Sequence, residues 1–485
     1  MRAYVHVQAL RFPLVSNRTS LSLATFLFFV VLAPYTTAQT LPSVPASHLI
    51  DLNSHPGFFN EPSIAVNSNN PQQVVAAYQV RASAAYSNDA GAHWTLASGT
   101  APADYAVSGD VSVTFDNKGH ALLCYISFDK LGTENYWAHD ATRNGIFVRR
   151  SDDGGKTWNA MASAVISHPT GPNIPFEDKP YIVADNNPDS PNAGNLYVGW
   201  TQFTLDKSVI LFSRSTDDGS TWSGPAEISS HQGLPRDDNG AVEGFTGAVA
   251  PNGTLYAAWA DGDNIAFTDS KDGGKTFAPS KEILDVAPLY FKVSSVDRAN
   301  GFPQLALNPK NGQLFVSWSD YRNGDVDIFV STSKDSGVSW SRAVRVNSDV
   351  LHDGCDQFFQ WLAVDPVTGA AYVVFYDRRN DPENKKTTVT LARSTDGGLS
   401  FQNYAWTRKP FQSHGDFIGD YTGLAAFNGR VYGIWAEEPQ PAGNASAEKQ
   451  KQKLRVSAEE NDGNHKTIVR VGIADFGKSD RSHSK

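Results

Sequence analysis

Cysteine is nearly absent from this chain. Cys124 and Cys355 are the two in 485 residues, too few for the disulfide framework of a small secreted domain. Positive charge is in deficit as well. The formal net charge is −10, which argues against nucleic acid or an anionic membrane surface as a partner. Long apolar runs are missing beyond the N-terminus, so no later segment reads as a membrane span. The short motifs of common chemistries are also missing: there is no His-x-x-x-His zinc pair, no glycine-rich phosphate loop and no nucleophile elbow. His120, His139, His231, His352 and His414 are scattered through expected loops. Asp185-Asn186-Asn187-Pro188-Asp189 could hold calcium, but such clusters are more often plain turns. No metal and no cofactor is implied, and nothing in the sequence speaks to oligomeric state.

What is present begins with a leader. Arg2, Arg11 and Arg18 precede an apolar run over residues 21–33, and Thr36-Thr37-Ala38 offers small residues for cleavage before Gln39. Residues 1–38 therefore read as a secretory signal, with a retained N-terminal anchor as the alternative. Export implies a secreted or periplasmic protein, free of the membrane in its mature form. The rest, about 39–478, is long for one ordinary domain.

A repeat resolves that length. Ser-x-Asp-x-Gly-x-x-aromatic occurs six times: at Ser87, Ser151, Ser215, Ser270, Ser333 and Ser394, ending on Trp94, Trp158, Trp222, Phe277, Trp340 and Phe401. Successive aspartates are 64, 64, 55, 63 and 61 residues apart, the mark of one supersecondary unit used over and over. Each copy lies between strand-like runs, such as Val209-Ile210-Leu211-Phe212 before and Ala226-Glu227-Ile228 after, and so reads as a hairpin turn. The Asp can accept amides of its own turn. The Gly supplies a positive φ, and the aromatic buries a large apolar area.

The pattern resembles the Asp-box (BNR) repeat of sialidase-like β-propellers. The resemblance covers nearly all of the mature chain and implies an all-β ring of four-stranded blades. Counting units gives seven. After the sixth turn, Gly423-Leu424-Ala425-Ala426 and Val431-Tyr432-Gly433-Ile434-Trp435 open another blade, with a third strand at residues 468–473. No fourth strand follows, and His48-Leu49-Ile50-Asp51-Leu52 is expected to supply it, removing two sheet edges. Six blades with an extra sheet is the alternative. Residues 439–465 read as a mobile polar insertion in the last blade. The register places the cysteines in the second and sixth units, too far apart to pair.

In such a ring the inner strands converge on a channel, and the repeated turns lie away from its mouth. The site is therefore expected just before each first strand. Those openings carry Glu61, Asp110, Glu177, Asp178, Glu243, Gln360, Asp420 and Tyr421. Converging carboxylates raise one another's pKa, which suits acid–base work, although each could equally bind strand-end amides. The sialidase resemblance implies a Tyr nucleophile activated by a Glu, an acid Asp and an arginine clamp on the substrate carboxylate. It assigns Tyr421, Glu243 and Asp110 to the first three roles. Arg81, Arg322 and Arg378, each following a second strand, are the clamp candidates or else ion-pair residues. Sialidases open their first blade with an Arg-Ile-Pro type motif, where this chain has Glu61-Pro62-Ser63-Ile64. The expected function is a glycoside hydrolase of exo-α-sialidase type acting on extracellular glycans. The alternative is a non-catalytic carbohydrate- or protein-binding propeller.

Overall fold

Each repeated turn closes on itself through one set of hydrogen bonds. In the computed structural model, Ser215 Oγ donates to Asp217 Oδ1 at 2.8 Å and accepts the Gly219 amide at 3.0 Å. Asp217 accepts the Thr221 amide at 2.9 Å and the Thr221 hydroxyl at 2.6 Å. The serine–aspartate bond recurs in the other five turns at 2.7 to 2.9 Å. In the fifth, the Ser339 hydroxyl and amide, then the Ser333 hydroxyl, hold the Asp335 carboxyl down to about 2. The glycine is required twice over. Gly337 has φ 81°, and a Cβ there would stand 2.3 Å from the Phe267 ring of the preceding blade.

The structure describes residues 40–477 apart from 101–103, 133–137, 139–141, 289, 416 and 440–466. The expected leader, His139 and nearly all of the expected insertion lie outside the described residues. Every regular element among those described is a strand, and no helix there is long and apolar enough to cross a membrane.

The strands form a β-propeller of seven four-stranded blades. The third blade is typical: Phe176–Ala184, Leu196–Phe203, Ser208–Ser215 and Ala226–Glu227 run antiparallel in sequence order. The sixth is widened by Phe411–Gln412, and a two-stranded hairpin, Tyr290–Phe291 with Ala299–Asn300, is inserted between blades four and five. The seventh blade joins both ends of the chain. Gly423–Phe427, Arg430–Glu437 and Ile468–Asp475 are completed by His48–Asp51, paired from His48↔Ile473 to Asp51↔Arg470. Arg470 Nε also donates to Asp51 Oδ1 at 2.6 Å.

Blade packing follows one aromatic per second strand. Tyr78, Tyr125, Trp200, Trp259, Trp318, Phe375 and Trp435 occupy equivalent register positions, and all are buried. Seven large rings at one height wedge the sheets apart and fill the space between them. Hydroxyls stitch the inner strands together. Ser63, Ser112 and Thr246 accept the Val113, Ile182 and Leu305 amides of the next blade at 3.1 to 3.2 Å. Cys124 and Cys355 are free and buried in different blades. Asp185 caps a turn, accepting the Asn187 amide at 3.2 Å and the Ser190 hydroxyl at 2.5 Å.

Register separates the repeated turns from the mouth. Val66 pairs with Val74 and Val74 with Ser87, so the turn at Ser87 sits where the inner strand ends. Asn60, paired with Gln79, opens that strand at the other end.

A chain truncated to begin at Asn53 leaves the Ile468–Asp475 strand with a bare edge. Thermal melting and light scattering should then show a lower Tm and concentration-dependent association. An unchanged melt would rule out the closure as a stabilising element.

Candidate functional site

The inner strands do not run straight into the mouth. Their register breaks between Asn60 and Ser63, Gly109 and Ser112, Asp178 and Tyr181, Glu243 and Thr246, and Phe358 and Trp361. Each break is a bulge, which re-aims side chains. The bulged residues Glu61, Asp110, Lys179 and Phe359 have φ of 45 to 52°, and Gly244 has 78°. Non-glycine residues enter this left-handed region reluctantly. The equivalent places in blades five and seven hold Phe302 and Tyr421.

A cavity of about 290 Å³ opens at this end. Glu61, Asp110, Asp178 and Lys179 line it from the first three blades, and Asp237 and Arg298 reach it from loops between blades. Phe58, Phe417, Phe128 and Phe176 supply aromatic wall. A smaller space of about 40 Å³, lined by Tyr421, Trp361, Tyr181 and Phe302, also borders Lys179.

One ion network crosses the axis. Lys179 Nζ donates to Asp420 Oδ2 at 2.5 Å and lies 3.8 Å from Glu243 Oε1. Arg298 Nε donates to Asp420 Oδ1 at 2.8 Å, its Nη2 donates to Asp420 Oδ2, and its Nη1 donates to Asp237 Oδ2. Asn300 Nδ2 adds a bond to the Asp420 carbonyl at 3.1 Å. The Tyr290 hydroxyl contacts Asp237 Oδ1 and lies 2.9 Å from Glu243 Oε2. Lys179 and Arg298 also stand over the Phe302 and Phe417 rings at 5.1 and 5.0 Å.

The electrostatics divide the carboxyls into two kinds. Burial, then the neighbouring Asp110 and Asp420 charges, push the Glu61 carboxyl well above its ordinary range. Burial and Asp110 do the same to Asp178. Burial, then Asp237, raises Glu243. Asp420 goes the other way: burial alone would raise it, but Arg298 and Lys179 bring it down to about 2. Burial works against the Lys179 ammonium too, yet Asp420, Asp237 and Glu243 hold it well above the ordinary lysine value.

The expected residues are distributed as follows. Glu61, Asp110 and Asp178 meet in the cavity, and Asp420 and Glu243 stand in the network behind it. Tyr421 is half-buried beside Trp361 (centroids 5.8 Å apart), with its phenol raised by burial and then by Glu61 and Asp110. Glu177 is buried outside the cavity lining, taking contacts from His168 Nε2 at 2.6 Å, Trp200 Nε1 at 2.5 Å and Gln202 Nε2 at 2.7 Å. Gln360 donates to the Phe302 carbonyl at 2.8 Å. The three arginines are not brought together. Arg81 is exposed and outside the cavity lining. Arg322 pairs with Asp320, with Nε–Oδ1 at 2.8 Å. Arg378 is fully buried, donating to the Ser294 and Asn384 carbonyls at 2.7 and 2.6 Å.

Sequence reasoning misses Asp237, Tyr290 and Arg298, and it does not single out Lys179, the neighbour of Asp178. One signal was available for two of them. The stretch from Phe277 to the inner strand at Gln304 is longer than its counterparts, and that excess is the hairpin carrying Tyr290 and Arg298. Among the described residues, no group of three or more His, Cys, Asp or Glu is arranged to hold a metal ion.

No family model matches the chain. A sialidase of Bacteroides fragilis (strain YCH46) is 24% identical over 279 residues, 53% of this chain and 48% of that protein. The chain thus spans about half the length of the curated relative it matches. In sequence the chain is similar to a sialidase, and in fold it is a β-propeller. Among solved structures, the sialidase of Trypanosoma rangeli in complex with sialic acid is 12% identical with TM-score 0.42, covering 92% of this chain and 61% of that one. An α-L-arabinofuranosidase of Fusarium graminearum is 13% identical with TM-score 0.44, covering 76% and 93%. An ulvan lyase is 11% identical with TM-score 0.45, covering 80% and 93%.

Two substitutions separate the two kinds of carboxyl. Asp420→Asn leaves Lys179 and Arg298 with a weakened buried partner and should lose about 3–5 kcal/mol of stability at pH 7. Because the folded pKa of Asp420 is depressed, that difference is present above about pH 4 and fades as the pH falls towards about 2. Glu61 is raised in the fold, so its contribution is greatest below about pH 4 and declines as the pH rises. Glu61→Gln should therefore gain in Tm relative to the parent between pH 4 and 8. Parallel melting curves across that range would refute the assignment.

Proposed function

We propose that this propeller is an exported glycoside hydrolase acting on extracellular glycans, with the six repeated turns as its Asp boxes. The observation that carries the reading is one cavity lined by four carboxyl residues. Asp110 lies close enough to Glu61 and Asp178 to raise both, and Asp237 lines the same cavity paired with Arg298. Glycoside hydrolysis calls for one carboxylic acid that keeps its proton and one carboxylate that does not. Burial among other carboxyls suits Glu61 or Asp178 to the first role. Its proton passes to the glycosidic oxygen as the bond to the anomeric carbon breaks. Both Asp237 oxygens are contacted by donors, Tyr290 and Arg298, which suits Asp237 to attack that carbon or to draw a proton from the water that does. The sequence likeness to a sialidase supports the same reaction class.

The contact between Tyr290 and Glu243 favours a second route. A phenol 2.9 Å from a buried glutamate is the pair that a tyrosine nucleophile needs, and it occurs at Tyr290 rather than Tyr421. In that route Glu243 takes the phenol proton as the oxygen attacks.

Turnover of a panel of aryl glycosides decides between hydrolase and binding propeller. Glu61→Gln should lower kcat by about 10²–10⁴ on substrates with poor leaving groups and by less on nitrophenyl glycosides. Loss of activity in Asp237→Asn but not Tyr290→Phe supports the carboxylate route, and the reverse supports the phenol. Glycan binding without any turnover leaves the non-catalytic reading in its place. Export is tested by the intact mass of the protein recovered outside the cytoplasm, which should begin at Gln39.

A further inference from the structure

We infer that the cavity selects an uncharged glycosyl residue and turns away sialic and uronic acids. The inference rests on the reading of this cavity as the glycan site.

An anionic sugar is held when a site offers it an unpaired cation, above all a guanidinium fork. Among the described residues lining the cavity there are two cations, Lys179 and Arg298. Both are already paired with carboxylates. All three Arg298 nitrogens donate to Asp420 or Asp237. Lys179 Nζ donates to Asp420 and stands 3.8 Å from Glu243. Of the three arginines considered for a clamp, Arg322 is paired with Asp320, Arg378 donates to backbone carbonyls, and exposed Arg81 lies outside the cavity lining.

The four carboxyl residues lining the same cavity, Glu61, Asp110, Asp178 and Asp237, outnumber those two cations. A substrate carboxylate placed among them would add another acid group to a crowded acidic site whose two cations are already paired. Sugar hydroxyls find the opposite situation. Carboxyl oxygens accept from them, proton-bearing carboxyls donate to them, and the Phe58 and Phe417 rings (centroids 6.2 Å apart) offer faces for the C–H side of a sugar ring. The volume of about 290 Å³ lies at the small end for ligand pockets, which suits one terminal residue rather than a chain.

The test uses the purified full-length protein and pairs of oligosaccharides. Each pair carries the same core ending in galactose, glucose, xylose or arabinose, or capped with sialic or glucuronic acid. Affinities come from a glycan array and calorimetry, and turnover from the matching aryl glycosides. At least one uncharged terminus should bind about tenfold or more tighter than its acid-capped partner. Phe417→Ala should weaken that binding several-fold without moving the Tm, which ties it to this cavity. Acid-capped glycans bound as tightly as uncharged ones, no binding of any uncharged terminus, or binding indifferent to Phe417→Ala would each overturn the inference. Turnover reports separately: hydrolysis of sialosides overturns the selection while leaving a hydrolase, and uncharged-glycan binding without hydrolysis leaves the selection while removing the enzyme.

Discussion

Asp420 is the counter-charge on which the centre of this ring is balanced. A lysine and an arginine are drawn towards the axis by two different parts of the chain, the bulge of blade three and the hairpin between blades four and five. Neither cation could be buried there alone, because leaving water is unfavourable for an isolated charge by far more than a fold can spare. Asp420 meets both, and Asn300 fixes its backbone. With Lys179 and Arg298 neutralised, the remaining carboxyls feel one another more than they feel any cation. Burial first, and then the charge of nearby carboxylates, push Glu61, Asp178 and Glu243 upward, while Arg298 and Lys179 hold Asp420 down.

The ring was readable in the sequence because its chemistry is local. A serine, an aspartate and a glycine at fixed spacing satisfy one another within a single turn, so the same residues must recur wherever the turn recurs. The closing strand was readable for a related reason: a sheet with three strands at one end of the chain and an orphan strand at the other has one economical solution. The mouth was only half readable. Strand order located the openings, and Glu61, Asp110, Asp178, Glu243 and Asp420 do gather there. Pairing, however, is a non-local property. Arg322 and Arg378 sit in matching tripeptides after matching strands, yet Arg322 returns to Asp320 while in the next blade it is Arg379 that returns to Asp377, at 2.6 Å, leaving Arg378 turned inward to carbonyls. The position within Asp-x-Arg separates the two: Arg379 is the equivalent of Arg322, and Arg378 that of Tyr321. Asp237 and Arg298 were hidden more simply, on loops outside the repeating register.

The bulges show how a regular scaffold makes an irregular site. Ladder pairing on both sides of each break holds the strand in place, so the residue between must adopt whatever φ the geometry leaves. For Glu61, Asp110 and Lys179 that is the left-handed region, a strain of order 1–3 kcal/mol each. It is offset by the interblade hydroxyl bonds a few residues on and by the buried aromatic of the adjacent strand. The same backbone device recurs with Gly244 and Phe359, which shows that the bulge belongs to the architecture and the side chain upon it to the site.

The shared seventh blade has a consequence for assembly. Asp51 and Arg470 are 419 residues apart in sequence, and Glu61 has Gly419 packed against its backbone and Asp420 close enough to raise its carboxyl. Loop-closure entropy rises only with the logarithm of length, so joining such distant segments is hardly less favourable at equilibrium than joining near ones. In time the position differs, since contacts of long sequence separation form slowly. Blades are local and can form early. The juxtaposition of Glu61 with Asp420 awaits the whole circuit, so the carboxyl-lined half of the mouth is expected to form last.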